Sequence, residues 1–222
     1  MEMNNMEIPT YSPVCMIYSQ LNLRELEQIL ASYATSENSY GPLRIIRAKD
    51  EFGNYRDTNR TIAVISENLF HTLIDNGLYK PVRSEDRPSC DFRIVPYEIR
   101  ENNLPKAGSK KDLFIRLPMS LNLMTKDLEN MLNEKMAPFV RFGIIRADQY
   151  AIKIPLRNKS RETGQAHGSC FLTFKDNVSE HTAALIKAVI DDTYWDNTQE
   201  TFHCFWAREN PNTNNKFSKK SH

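Results

Sequence analysis

Three segments of this chain recur, in the same order, roughly one hundred residues further on. Arg24-Glu-Leu-Glu-Gln-Ile-Leu resembles Lys126-Asp-Leu-Glu-Asn-Met-Leu, Ile45-Ile-Arg-Ala matches Ile144-Ile-Arg-Ala, and Ile65-Ser-Glu-Asn resembles Phe174-Lys-Asp-Asn. The offsets are 102, 99 and 109, as one order of elements carried twice with loops of different length would give. The chain has 222 residues, enough for two small domains. The duplication therefore predicts two separate cores rather than one large one.

Each copy reads β-α-β-β-α-β. In the second, Asp112 to Pro118 is a short strand, and Thr125 is an N-cap before Leu128, Met131, Leu132 and Met136 at helical spacing. Gln149 to Leu156 alternates as a strand, Arg157 to Gly164 is a polar loop, and Ser169 to Phe174 is the next strand. Asn177-Val-Ser-Glu has the form of a capping box before the apolar run Ala183 to Ile190, and Thr201 to Trp206 is the last strand. The first copy repeats the plan. It has a strand at Val14 to Tyr18, a helix capped by Asn22 with Glu25 three residues on, and a ribbon around the Gly53-Asn54 turn. A helix from Ser66 to Gly77 and a strand from Phe92 to Tyr97 follow. This order predicts an α+β chain of two ferredoxin-like domains, each a four-stranded antiparallel sheet with two helices on one face. The boundaries are 13–100 and 111–209, with a linker at 101–110 and a disordered polar tail at 210–222. The face without helices is where chemistry is expected, and alternation along each strand decides which side chains reach it.

Residues 163–174 read Thr-Gly-Gln-Ala-His-Gly-Ser-Cys-Phe-Leu-Thr-Phe. This stretch resembles the octapeptide of the RNA recognition motif family: a basic residue, Gly, an aromatic, a small residue, an aromatic, an aliphatic, any residue and an aromatic. His167 takes the basic place, and Gly168, Phe171, Leu172 and Phe174 match, while Ser169 stands where the family usually has an aromatic. Leu113-Phe-Ile-Arg-Leu-Pro is similar to the family's first-strand hexapeptide, with Phe114 at the aromatic place. Phe202 to Arg208 resembles its fourth strand and exit. The resemblance covers 111–209 by motif and 13–100 only by layout.

The resemblance implies a non-catalytic protein whose second domain binds single-stranded RNA. Bases would stack on Phe114 and Phe171, and Arg116 would meet a phosphate. Ser169, His203 and Phe205 would share that face, with Arg208 at the exit and His167, Arg157, Lys159 and Arg161 bordering the groove. Leu113, Ile115, Cys170, Leu172, Phe174, Phe202 and Cys204 fall on the helix side as core. Each site residue has a plainer reading: a strand Phe is more often core, and a charge run is more often a solvated loop. The alternative for the whole chain is a protein-interaction scaffold built on the same folds.

Charge divides the copies. Cut between Pro105 and Lys106, the second part holds 18 basic and 13 acidic residues, a balance of +5; the first holds 11 and 15, a balance of −4. In the first copy, aligning Ile65 with Phe174 puts Ile62 where Phe171 stands and Arg60 where Ser169 stands, with Tyr18 the sole candidate aromatic. Acidity repels phosphate, so the first copy is expected not to bind RNA and to contact a protein partner instead. No P-loop, GxGxxG, GxSxG or HExxH is present, and the four Cys show no CxxC, so no cofactor and no metal is expected. A Cys170 nucleophile beside a His is the one catalytic rival. The longest apolar runs are five or six residues, so no membrane span is expected, and the chain reads as intracellular without a choice of nucleus or cytoplasm.

Overall fold

The computed structural model describes residues 10–36, 39–76, 92–117, 124–155, 168–193 and 201–208. The chain divides into two compact units. The first is Met1–Glu98 with Pro138–Ile144, and the second is Ile99–Ala137 with Ile145–His222.

In chain order the elements are β1 Val14–Ser19, α1 Leu23–Tyr33, β2 Tyr40–Lys49, β3 Tyr55–Ile65, α2 Glu67–Asp75 and β4 Phe92–Pro96. They continue with β5 Ser109–Arg116, α3 Thr125–Arg141, β6 Tyr150–Lys153, β7 Ser169–Phe174, α4 Glu180–Ile190 and β8 His203–Arg208. The strands form two four-stranded sheets, ordered β2-β3-β1-β4 and β6-β7-β5-β8, with antiparallel neighbours throughout. This is the α+β, ferredoxin-like layout expected from the element order.

The helix starts follow local chemistry. Asn22 closes a capping box on α1: its Oδ1 accepts from Glu25 N at 3.0 Å, and Glu25 Oε2 accepts from Asn22 N at 2.9 Å. Ser66 Oγ accepts from Leu69 N at 3.2 Å and starts α2. Two expected caps are corrected. Ser179, not Asn177, caps α4, its Oγ accepting from Thr182 N at 3.0 Å. Asn177 lies in the turn after β7, where its side chain is two residues too early for the first free amide. Thr125 is the first residue of α3 rather than its cap, because the carbonyl of Met124 accepts the first helical bond, from Leu128 N at 3.1 Å. Strand bounds also shift. β5 begins three residues before Asp112, and β6 ends at Lys153, short of Leu156, because its ladder to β7 stops at the Lys153–Phe171 pair.

In the first unit, Cys15, Ile17, Ala63, Ile65 and Ile94 of the sheet pack on Leu26, Leu30, Leu69, Phe70 and Leu73 of the helices. In the second, Leu113, Ile115, Cys170, Leu172, Phe174, Phe202 and Cys204 are all buried, as alternation assigned them. Burying each large side chain contributes about 1.5–3 kcal/mol, so these inner faces hold the sheets to their helices. Phe174→Ala is therefore expected to lower folding stability by about 3–5 kcal/mol in urea denaturation. In the same measurement Ser179→Ala costs about 1 kcal/mol and Asn177→Ala close to nothing.

Candidate nucleic-acid interface

β5 lies between β7 and β8, and its register places six of the expected residues on one face. Phe114 stands opposite Phe171 on one side and Phe205 on the other. Arg116 stands opposite Ser169 and His203. The Phe114 and Phe171 ring centroids are 5.3 Å apart with planes tilted by 54°, and Phe114 and Phe205 are 6.4 Å apart at 38°. The Arg116 guanidinium sits 5.7 Å from the centre of the Phe205 ring. Phe114 and Phe171 are half-buried, Phe205 is 47% exposed, and Arg116 and His203 are exposed. Three rings in a row with a cation at one end is a surface that can take planar, anionic chains: rings for bases, the guanidinium for a phosphate.

Arg208 is exposed but lies apart from this group, at the opposite end of β5, opposite Ser109. Trp206 stands opposite Leu113 on the core side. Arg157, Lys159, Arg161 and His167 lie outside the described residues, as do Gly164 and the tail 210–222. Lys153 was missed by sequence reasoning. It is exposed and stands directly opposite Phe171 on the edge strand β6. The signal was present, because Ile152 pairs with Leu172 on the core side and the next residue must then reach the other face.

Two polar contacts hold this register. Asp112 Oδ1 accepts from Phe174 N at 2.9 Å. Lys111 Nζ donates to the carbonyls of Lys175, Asp176 and Val178 at 2.8, 2.9 and 2.8 Å. Together they tie the start of β5 to the end of β7.

The first unit keeps the register and changes the chemistry. Met16 stands opposite Ile62, the pair equivalent to Phe114 and Phe171. Val14, Met16, Ile62 and Val64 on this second face are 0, 8, 1 and 0% exposed, so it is a closed apolar surface. Within the same unit, a Cβ added at Gly41 would stand 2.7 Å from Pro138 Cβ and 3.4 Å from Val64 Cβ, so Gly41 permits that approach. Tyr18 is half-buried, with the Arg93 guanidinium 5.0 Å from its ring centre, and Arg93 is itself only 5% exposed.

The catalytic rival loses its nucleophile. Cys170 is fully buried, and burial pushes its thiol up to about 12; the same cause pushes Cys15 to about 12. A thiol held neutral is inert at ordinary pH.

No protein-family model and no curated protein matches this sequence. Among solved structures, the chain is similar to a Sex-lethal protein/RNA complex, at 11% identity and TM-score 0.29, over 89% of this chain and all of that one. It is also similar to Sex-lethal RNA recognition domains 1 and 2 from Drosophila melanogaster, at 15% and 0.25, over 88% of this chain and all of that one. The C. elegans NONO-1 homodimer follows at 8% and 0.29, over 95% of this chain and 67% of that one. At these scores the likeness carries no weight for function.

The buried thiols give a pH prediction. Both are raised in the folded state above the ordinary thiol value of 9.0, so the folded state keeps protons that the unfolded state loses. Their contribution is fully present below about pH 9 and is lost as pH rises toward 12. The urea midpoint should fall across that window. At pH 8, iodoacetamide should label Cys15 and Cys170 only after unfolding.

Proposed function

We propose that this chain binds single-stranded RNA through the sheet face of its second unit, without catalysis. The module is 111–209. One observation carries the reading: Phe114, Phe171 and Phe205 lie side by side, partly exposed, on the sheet face away from the core. Apolar rings outside a core cost solvation free energy, and bases stacked on them would recover it, at about 1–3 kcal/mol each. Arg116 and Lys153 lie at two edges of the row and are the expected phosphate contacts, with His203 beside Arg116. The +5 balance of this part of the chain favours the same ligand. The closed apolar face of the first unit supports a division of labour in which its sheet takes no bases.

The test is binding of the full chain to labelled random-sequence single-stranded RNA across a salt series, with DNA of the same sequence alongside. Phe171→Ala should weaken RNA affinity by about 1–3 kcal/mol while leaving the urea midpoint close to wild type. Arg116→Ala and Lys153→Ala should each lower the slope of log affinity against log salt by about one unit, whereas Phe171→Ala should leave that slope alone. Unchanged RNA affinity in Phe171→Ala would remove the platform reading and return the chain to the protein-scaffold class.

A further inference from the structure

β2 and β3 run on past the rest of their sheet. β1 pairs with β3 only from Arg60 to Val64, whereas β2 and β3 stay paired out to Lys49 and Tyr55. The outer part is a two-stranded ribbon closed by the turn at Asp50–Asn54. That turn is built by four residues. Asp50 Oδ1 accepts from Phe52 N at 3.0 Å and Asn54 N at 2.8 Å, Gly53 N donates to Asp50 O at 3.0 Å, and Gly53 has φ 82°. Nothing in this geometry calls for an aromatic side chain. Yet Phe52 is 76% exposed and Tyr55 63% exposed, the two most exposed large apolar side chains among the described residues.

Tyr55 is not alone. Lys49 Nζ lies 5.2 Å and the Arg47 guanidinium 5.6 Å from the centre of its ring. A Tyr–cation contact at an exposed site is weak, so it serves to gather two cations around a ring that stays open to solvent. The neighbouring Arg56 is held by Asp50, Nε to Oδ2 at 2.9 Å, although the pair is not aligned as a hydrogen bond. From Arg47 to Asn59 the ribbon carries three basic and three acidic residues, a balance of zero inside a part of the chain whose total is −4. The acidity of the first unit therefore lies elsewhere, and its ribbon is a local exception.

We propose that the ribbon tip is a second contact for single-stranded nucleic acid: a base stacks on Tyr55, and the adjoining phosphates meet Lys49 and Arg47. This extends the RNA reading of the second unit and rests on different residues. A ring with cations at its margin matches the alternation of base and phosphate along one strand. An acidic peptide would satisfy the cations but leave the exposed ring without a planar partner.

The experiment uses the full chain and the same labelled single-stranded RNA. Tyr55→Ala should weaken binding by between about fivefold and a hundredfold, the range of one lost base stack. Tyr55→Phe should keep wild-type affinity, since the ring suffices. Lys49→Ala should lower the salt slope by about one unit. Thermal unfolding should not move, because the removed ring fills no core. If Phe171→Ala weakens binding and Tyr55→Ala does not, the ribbon site is overturned while the platform stands, and the ribbon becomes a protein-contact arm. If Tyr55→Ala weakens binding and Phe171→Ala does not, the ribbon site is supported and the platform falls. A wild-type chain that binds no single-stranded RNA overturns both.

Discussion

Lys111 directs its ammonium group at three backbone carbonyls beyond the end of β7, and the adjacent Asp112 takes the amide of Phe174. These contacts fix where β5 lies against β7. A strand has two faces, and a slip of one residue would exchange them, sending Phe114 and Phe171 into the core and Leu113 and Leu172 out. The aromatic row, the cation beside it and the buried inner face all follow from this one alignment. The charge on Lys111 is answered by carbonyl dipoles at the end of β7.

The first unit shows what the same scaffold becomes when that face is closed. Its central pair, Met16 and Ile62, keeps the geometry of Phe114 and Phe171 and replaces rings with aliphatic side chains. Gly41 has no Cβ where Pro138 comes close, and Val14 and Val64 are fully buried beside it. One module presents a sticky, partly wet surface and the other a dry one, although their topologies are equal.

Much of this was legible in the residues. Alternation over Ser169–Phe174 separates Phe171 from Cys170, Leu172 and Phe174, and the structure keeps that division. The duplicated order of elements was enough for the two sheets, because short connections between an amphipathic strand and helix leave few ways to bury both. The misreadings came from places where local chemistry is degenerate. Asn177 and Ser179 are both good caps, and only the start of the helix ladder chooses between them. Lys153 was passed over because a short edge strand offers few alternations to count. The total charge of the first unit averages over a folded surface and hides a ribbon in which basic and acidic residues balance.

The ribbon has a further consequence for how the chain keeps to itself. Beyond Arg60, β3 has no β1 partner, and β2 is the outer strand of its sheet, so both margins of the ribbon offer backbone amides and carbonyls to any passing strand. Such margins recruit other chains when they are flat and apolar. Here the ladder is irregular between Ile45 and Arg47, and Arg47, Lys49, Arg56 and Asp57 crowd the margins with charge. A bulged, charged ribbon pairs poorly with its own copies. The same side chains that make it a candidate for recognising a polyanion also guard the chain against edge-to-edge self-association.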